Sequence, residues 1–552
     1  MQQMLIVTAM KQNLLPNLSI PEVPECERTT LVQALLELID EFQRRDASQQ
    51  EQIHLLQERS EALQEEVSRL KGHSSKPKIR PSTLEGKNKK KKKRNKDRKK
   101  NKGSGGSSGR GEADETVIVK ADNVPQGSRF KGYADFTVQE LIIKSKSTCY
   151  RLEKWLKPDG QMLRAKLPAS IHNGHYGPTL ESFVLYQYYH AQVTEPLIAE
   201  QLSEFGIKIS KAQVHCLIVC GKEKFHREKE QILQVGLQLS RYIHVDDTAA
   251  RHRGRNGYCT HIGNELFAWF QSTESKSRSN FLNLLRAGNK DYVVNDAAIL
   301  YMQSQELAKS QTEQMMIHLD SCFEDRQKWE AALDRWGITN QRHIRIITEA
   351  ALLGSAVEHG LNPQLVVISD DAGQFNVLIH ALCWIHAERT LTKLIGFSDE
   401  QRAALENVRN QVWDLYQILK GYKRSPSEKN EQEIQERFDA IFTQHTCFAS
   451  LNLALERLHK NKAELLLVLE HPYIALHNNL SEGDIREYVK RRKISGGTHS
   501  DDGRCGRDTF ASLKKTCRKL GISFWHYLDD RIRSLGRIPS LPTLIENRAH
   551  EP

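Results

Sequence analysis

Pairs of acidic residues follow two segments of the sequence that have the pattern of buried strands. Asp246 and Asp247 follow the first segment, and Asp370 and Asp371 follow the second. A carboxylate at a strand end usually caps the next element, pairs with a basic side chain, or holds a divalent cation through its hard oxygen atoms. Because two such doublets occur in one α/β region without a glycine-rich phosphate loop, a shared metal site is favoured over capping.

A third acid, Glu482, lies in a segment that predicts a helix starting near Asn478. On that helix Glu482 and Arg486 share one face at positions i and i+4, and Lys490 follows at i+8. An acid therefore lies beside a row of cations. This pattern fits either an ordinary helical salt bridge or a functional acid next to a basic surface.

The elements that must position these acids can be read from hydrophobic patterning. We predict a strand at 242–245, two more strands that Gly263 and Asn264 join as a hairpin, and a helix that begins at 279–285. The later elements are a fully apolar strand at 365–368 and a helix at 375–395. The hairpin strands are predicted at 258–262 and 266–270.

Four motifs occur in order along this region. They are Asp246-x-Thr248, Asp370 followed by Phe375 and Asn376, Cys383-Trp384-x-His386, and Asn478-Asn479-x-x-Glu482-x-x-x-Arg486. The chain thereby resembles the DDE transposases of the insertion-sequence-66 family over residues 242–528, and more loosely ahead of them. Each motif is weak alone, whereas the four in this order are fairly specific.

The resemblance implies a ribonuclease-H-like catalytic fold within the α/β class. In such a fold the first acid leaves the first strand, the second leaves the fourth strand, and the third comes from a later helix. Carried over by position, Asp246, Asp370 and Glu482 would be the catalytic acids and would bind two Mg²⁺ ions, with Mn²⁺ as an alternative. Two such ions serve an in-line displacement at phosphorus, with water as the first nucleophile and a freed 3′ hydroxyl as the second.

The choice within each acidic doublet rests on the family pattern. Neighbouring side chains on an extended strand point to opposite faces, so only one acid of each doublet can face a cleft. The pattern favours Asp246 and Asp370 and leaves their neighbours as rivals. We expect supporting roles around the acids for Asp247, Asp371, His386 and Arg486.

The predicted helix at 375–395 also carries His380, Cys383 and His386. At positions i, i+3 and i+6 these side chains spread over about 120° of the helix surface, which is too wide for one ion. We therefore expect core packing for this group, with His386 as the member that could approach the metal cleft.

A helix-turn-helix is predicted ahead of the acids. Two helical segments, 197–202 and 209–214, flank Gly206, and Ser210 is placed to cap the second helix. Two packed helices that never contact DNA are the alternative. Beyond Glu482, basic residues on either side of a glycine-rich loop form a candidate DNA surface or, alternatively, a solvated helix face. The second group of them is predicted to lie on a helix capped near Asp508. The predicted DNA-binding residues are Lys490, Arg491, Arg492, Lys493, Lys514, Lys515, Arg518 and Lys211.

The first part of the chain has a different composition. A heptad pattern at 29–72 predicts a coiled coil, and hence a homodimer or higher oligomer, with a helical hairpin within one chain as the alternative. Twelve basic residues and one acid lie in the segment from Lys87 to Lys102. The net charge of this segment, +11, equals the net charge of all 552 residues. This segment of 73–127 is predicted to be a disordered basic linker, a phosphate-binding arm or a nuclear-import signal.

The remaining composition excludes several classes. Ten cysteines without paired Cys-x-x-Cys spacing predict neither a disulfide framework nor a zinc site, although the family commonly carries a zinc-finger-like segment. No segment approaches the length of an apolar membrane span, so we expect no membrane association and a cytoplasmic, nucleoid-associated bacterial protein.

These observations predict a DNA transposase that acts on element ends and target DNA, with or without accessory transposition proteins. A catalytically inactive DNA-binding regulator and a structure-selective nuclease are the alternatives. The predicted regions are a tail at 1–28, the coiled coil at 29–72, the linker at 73–127, a β-hairpin region at 128–175, a helix-turn-helix region at 176–236, a catalytic domain at 237–536 with helical insertions near 297–360 and 396–470, and a tail at 537–552.

Overall fold

The computed structural model of this protein describes residues 115–120, 122–123, 125–134, 136–168 and 175–550. The predicted N-terminal tail, the coiled coil and most of the basic linker, including its lysine run, lie outside the described residues. The chain divides into two compact units, Met1–Thr137 and Val138–Pro552, and every described helix and strand belongs to the second. None of the described helices has the length and apolar content needed to cross a bilayer.

The predicted β-hairpin is confirmed. Strands β1 (Lys154–Leu156) and β2 (Met162–Arg164) pair antiparallel around a turn. Asp159 Oδ1 accepts a hydrogen bond from the backbone N–H of Gln161 at 2.9 Å, and Gly160 adopts a positive φ of 80°. Aspartate and glycine thus supply the turn chemistry that the sequence indicated.

Among the described residues ahead of the main sheet are four helices and a short π-helical segment. The predicted pair of helices is present, and Ser210 caps the second through a capping box with Gln213, as expected. The helices are α1 (Pro178–Leu185), the π-helical segment (Tyr186–His190), α2 (Glu195–Glu204), α3 (Lys211–Val219) and α4 (Glu223–Leu239).

The next elements build a sheet and the layer of helices that covers it. In chain order they are β3 (Tyr242–His252), β4 (Arg255–Gly263), β5 (Ala268–Thr273), α5 (Arg278–Leu285), β6 (Tyr292–Val294), α6 (Asp296–Ser304), α7 (Lys309–Met316), β7 (Ser321–Phe323), α8 (Arg326–Arg335), α9 (Gln341–Glu358), β8 (Val366–Ser369) and β9 (Ile379–Leu382).

The main sheet has five strands in the order β5-β4-β3-β8-β9. Strands β3, β4 and β5 form an antiparallel meander, whereas β8 and β9 run parallel to β3. Strand β8 is buried along its whole length, as its apolar sequence requires. The α/β class and the strands predicted from the sequence are therefore confirmed.

The predicted helix at 375–395 is wrong in its first half. Residues Ile379–Leu382 form β9, which pairs parallel with β8, and a helix begins only at Trp384. A short apolar run fits a buried strand as well as a buried helix, and pairing with β8 decides between them. His380 and Cys383 consequently do not lie on one helix with His386.

The chain from Trp384 onward is mainly helical. The predicted insertion near 396–470 is a bundle of helices, and the one near 297–360 also contains strand β7, which pairs with β6 just ahead of it. The helices are α10 (Trp384–Thr392), α11 (Asp399–Tyr422), α12 (Glu428–Phe442), α13 (Ala449–Lys460), α14 (Lys462–Leu465), a 3-10 turn (Leu467–Leu469), α15 (Asn479–Ser495), α16 (Asp501–Lys519), α17 (Phe524–Arg533) and α18 (Leu541–Ala549).

Two boundary predictions are corrected at this end. The segment 537–552 is not a free tail, because Leu541 and Ile545 of α18 are buried in the main core. The helix that carries Lys514 is capped by Ser500 rather than near Asp508, which is buried in mid-helix. Asp508 binds the backbone N–H and hydroxyl of Ser272, so that α16 covers the outer edge of β5.

The glycine-rich loop between α15 and α16 packs onto the end of β3. Thr498 exchanges backbone hydrogen bonds with Arg251 and Arg253 at 2.9 and 2.8 Å. A Cβ atom on Gly497 would lie 2.6 Å from the carbonyl oxygen of Arg251, so only glycine permits this approach. The loop therefore ties the end of α15 to the strand that carries the first acid.

Candidate active site

Asp246 lies on β3, and Asp370 directly follows the neighbouring parallel strand β8. The register pairs His244 of β3 with Ile368 of β8. Asp246 is two residues beyond this pair on β3, and Asp370 is the first residue after β8. The charge of Asp370 raises the pKa of Asp246, so the two predicted acids lie close together where β8 ends beside β3.

A buried asparagine docks the helix of Glu482 onto β3. Asn478 is fully buried, and its Oδ1 accepts a hydrogen bond from the His244 ring at 2.9 Å. Its Nδ2 donates to the carbonyl oxygen of Val245 at 2.7 Å, and its backbone N–H donates to Cys383 Sγ at 3.2 Å. The start of α15 is therefore held directly beside the strand position of Asp246.

A second set of contacts holds α15 against β4. His261 is fully buried; one ring nitrogen lies 2.7 Å from Ser481 Oγ and the other 3.3 Å from Asp484 Oδ2. Lys519 Nζ lies 2.9 Å from the same Asp484 oxygen. Burial alone would raise the pKa of Asp484, but His261 and Lys519 outweigh it and hold that pKa well below its usual range. The helix that carries Glu482 is therefore held in place through Ser481 and Asp484, which lie on either side of Glu482 in the sequence.

Asp246 and Asp370 lie close together without a basic side chain paired to either of them in the described structure. Burial, then the charge of Asp370 and, more weakly, that of Glu482, raise the pKa of Asp246 to about 7. The Oδ1 atom of Asp370 is shielded from solvent and has no hydrogen-bond partner. A buried carboxylate without partners is costly, and a bound cation would remove that cost.

Glu482 is paired with basic groups of α10. Its Oε1 lies 3.2 Å from Arg389 Nη1 and 3.6 Å from His386 Nε2. Arg389 also donates to His386 Nε2 at 3.1 Å, so the proton of the neutral ring is on Nδ1. Burial and the adjacent Arg389 charge lower the pKa of His386, which keeps the ring neutral. Arg389 thus supplies the positive charge next to the third acid.

The rival acids of the two doublets have other partners. Asp247 accepts hydrogen bonds from Thr260 Oγ1 at 2.5 Å and Gln374 Nε2 at 3.1 Å. Asp371 is exposed and pairs with Arg457. The alternative of a helical salt bridge between Glu482 and Arg486 is not observed. Glu482 pairs with Arg389 instead, and Arg486 is exposed.

The residues fit a divalent cation in donor type, but they are not assembled around one. Among the described residues, no three His, Cys, Asp or Glu side chains are arranged to hold a metal ion. Asp246 and Asp370 offer the hard oxygen donors that Mg²⁺ prefers, one of them unpaired. Glu482 would have to exchange Arg389 for the ion. Asp246 and Asp370 are thus the first ligands available.

Asp246 leads to a pH dependence of stability without metal. A carboxyl with a pKa of about 7 when folded and near 4 when unfolded stabilises the fold fully below about pH 4, and that contribution is lost as the pH rises through about 7. In EDTA, the difference in free energy of unfolding between Asp246→Asn and the unchanged protein should shift by about 2 kcal/mol in favour of the variant from about pH 5 to about pH 8. The reason is that asparagine does not titrate.

Urea unfolding of both proteins at the two pH values measures this difference. Excess Mg²⁺ should restore the stability of the unchanged protein at the higher pH and leave Asp246→Asn nearly unaffected. Parallel pH profiles for the two proteins would contradict the assignment of Asp246.

The predicted DNA-binding residues divide into accessible and buried groups. Lys490, Lys493, Arg518 and Lys211 are exposed. Lys514 and Lys515 are buried and pair with Glu487. Arg492 reaches Thr248 Oγ1 at 3.3 Å, and Arg491 lies over the Tyr188 ring at 4.0 Å. A DNA surface here would therefore consist chiefly of the exposed group.

The sequence did not reveal the roles of three residues of the site. Arg389 lies one helical turn after His386, and this spacing was a usable signal. Asn478 was recognised as part of a motif, without its role in docking α15. Gln374, which binds Asp247, gives no signal before the fold is known.

Comparisons with known proteins add an independent finding. The model of the family described as "Transposase IS66 family" matches residues 357–505, a range that contains Asp370, Arg389 and Glu482. The protein y4jO of Sinorhizobium fredii (strain NBRC 101917 / NGR234), described as uncharacterized, is similar to this chain. It is 44% identical over 321 residues, which are 58% of this chain and 100% of that protein.

Proposed function

Because this chain belongs to the IS66 family of transposases, we propose that it is a DNA transposase that cleaves the ends of an insertion sequence and joins the freed 3′ hydroxyl to target DNA. Its catalytic acids are Asp246, Asp370 and Glu482. The reaction is phosphoryl transfer that depends on divalent metal ions.

The sheet supports a ribonuclease-H-like reading of the catalytic domain. Asp246 lies on the first strand of the five-stranded sheet, Asp370 follows the fourth of those strands in chain order, and Glu482 lies on a later helix. This is the placement of the three acids that the family resemblance implies. The strand order, an antiparallel meander continued by parallel strands, agrees with it.

The observation that carries the proposal is the electrostatic coupling of the three acids. The charges of Asp370 and Glu482 both raise the pKa of Asp246, although each acid is more than a hundred positions from the next along the chain. Three acids that come close in a partly buried cleft destabilise the chain unless they have a task. Binding cations at a phosphate is the task that fits oxygen donors and this fold.

The chain's own groups prepare the site for the ions. Asp246, Asp370 and Glu482 would together hold two Mg²⁺ ions, with Mn²⁺ as a substitute. When bound, such ions would supply activation of the attacking oxygen and stabilisation of the leaving oxygen. Arg389 orients Glu482 before ions bind, and neutral His386 accepts the hydrogen bond that orients Arg389.

DNA recognition is proposed for two surfaces. In the helix-turn-helix region, Lys211 opens the exposed face of α3, while Val214 and Leu217 face the core. Recognition helices present their N-terminal residues to base edges in this way. Lys490 and Lys493 on α15 follow Glu482 and would contact backbone phosphates. Pairing of two chains through residues 29–72 remains part of the proposal.

A strand-transfer assay tests the function. The purified full chain is incubated with a labelled duplex that ends in the element's terminus, a supercoiled target and Mg²⁺. We expect nicking at the element end and covalent joining of the labelled 3′ end to the target, both abolished by EDTA.

The outcomes separate the candidate functions. Cleavage without joining, when target DNA is present in excess, would reassign the chain as a nuclease. Specific DNA binding with no metal-dependent cleavage would reassign it as a regulator.

A further inference from the structure

A cavity lies between α15, α16 and the π-helical segment. Its volume, taken as the space that the centre of a water molecule can occupy, is ≈ 40 Å³. Four basic and two acidic side chains line it beside aromatic rings, so its charge is net positive. The charged residues are Arg491, Arg507, Lys514, Lys515, Asp484 and Glu487.

Arg507 is buried in the wall of this cavity with unmet hydrogen-bonding capacity. Its residue is 7% exposed, and its Nε and Nη1 atoms have no hydrogen-bond partner. Nη2 donates to Ser272 Oγ at 3.3 Å. Asp508 Oδ1 lies 3.8 Å from Nε, too far for a hydrogen bond, and already accepts from Ser272 and Tyr488. A buried guanidinium left in this state is costly.

Arg491 adds a second unmet donor to the same cavity. Its guanidinium stacks on the Tyr188 ring, and its Nη1 atom is shielded without a partner. The remaining two lysines and two acids balance in charge: Glu487 pairs with Lys514 and Lys515, and Asp484 Oδ1 lies 3.4 Å from Lys515 Nζ. The positive charge that is left over therefore belongs to the two arginines.

The unmet groups on the two arginines are all donors, which selects the ligand. A nucleobase or an amide would require acceptors as well as donors, whereas a phosphate group offers only acceptors and negative charge. We propose that this cavity binds a phosphate group through Arg491 and Arg507. Building on the proposed transposase function, the phosphate belongs to the backbone of the bound DNA.

The cavity lies between the helix that carries Glu482 and the next helix, so a phosphate bound there would affect the position of the DNA. Arg491 lies on α15, the helix that carries Glu482, and Arg507 lies on α16, which covers the edge of β5. A phosphate that bridges the two helices would fix the DNA relative to the third acid. The cavity would thus help to register the cleavage site.

Inorganic phosphate is the probe for the cavity itself. Thermal unfolding of the full chain in EDTA is followed while phosphate replaces chloride at constant ionic strength. We expect a saturable rise in melting temperature, with affinity at least tenfold weaker in Arg507→Gln and in Arg491→Gln. Arg504→Gln is the matched control, because Arg504 lies on the same helix and pairs with Asp501 outside the cavity.

This readout needs no cleavage, so it separates failure of the cavity from failure of the proposed enzyme. If Arg507→Gln does not fold, the half-buried Arg491 still decides the question. No saturable stabilisation, or equal stabilisation of all four proteins, overturns the proposal.

The DNA arm identifies the source of the phosphate. Binding of an element-end duplex is measured against salt concentration in EDTA. Loss of one phosphate contact should lower the slope of log K against log salt by about 1 in Arg507→Gln and leave it unchanged in Arg504→Gln. Unchanged slopes together with lost phosphate binding would assign the cavity to free phosphate and overturn its placement on DNA.

Discussion

Asp370→Asn is expected to reduce Mg²⁺-dependent cleavage of element-end DNA by about 10³-fold or more while the chain stays folded. Asparagine keeps the shape of the side chain but removes the negative charge that a cation needs. Because Asp370 Oδ1 has no hydrogen-bond partner, the fold loses no contact there. Single-turnover cleavage with saturating metal, together with circular dichroism, measures both effects.

Asp371→Asn is the matched control for this prediction. Asp371 is one position along the chain, but it is exposed and paired with Arg457, so the exchange should change the cleavage rate less than about threefold. A larger loss of cleavage in Asp371→Asn than in Asp370→Asn would show that Asp371, and not Asp370, is the catalytic acid of this doublet.

Asn478→Ala is expected to lower both stability and activity. The exchange removes two buried hydrogen bonds, one from the His244 ring to Asn478 Oδ1 and one from Asn478 Nδ2 to the Val245 carbonyl oxygen. We expect the free energy of unfolding to fall by about 2–4 kcal/mol. Cleavage should slow by about 10²-fold even where the protein is fully folded, because Glu482 loses its fixed position beside β3.

Asn479→Ala provides the comparison for Asn478→Ala. Asn479 is the exposed next residue on the same helix, so its replacement should change stability by less than about 0.5 kcal/mol. Equal effects of the two exchanges on denaturant unfolding would mean that Asn478 does not dock α15.

Much of the site was predictable from the sequence because its acids follow strands. Apolar patterning located β3 and β8, and parallel pairing of two such strands is enough to bring Asp246 to Asp370. Glu482 required more, since its approach depends on contacts between α15 and two strands. The family resemblance supplied that acid, and hydrophobic patterning alone would not have selected it.

Other features depend on contacts that no local pattern records. The strand character of Ile379–Leu382 comes from pairing with β8. Lys514 looks like a DNA-binding residue in a basic segment, but it is buried because Glu487 and the carbonyl groups of Tyr189 and His190 surround it. Charge runs reveal composition, whereas tertiary packing decides which charges meet solvent.

Counting bound Mn²⁺ tests most directly whether the three carboxylates form a cation site. Electron paramagnetic resonance of the full chain with element-end DNA reports free and bound ions without requiring turnover. We predict two Mn²⁺ ions per chain, and the loss of both in Asp246→Asn. Equal Mn²⁺ binding by the two proteins, or none by either, would contradict the catalytic site described for this chain.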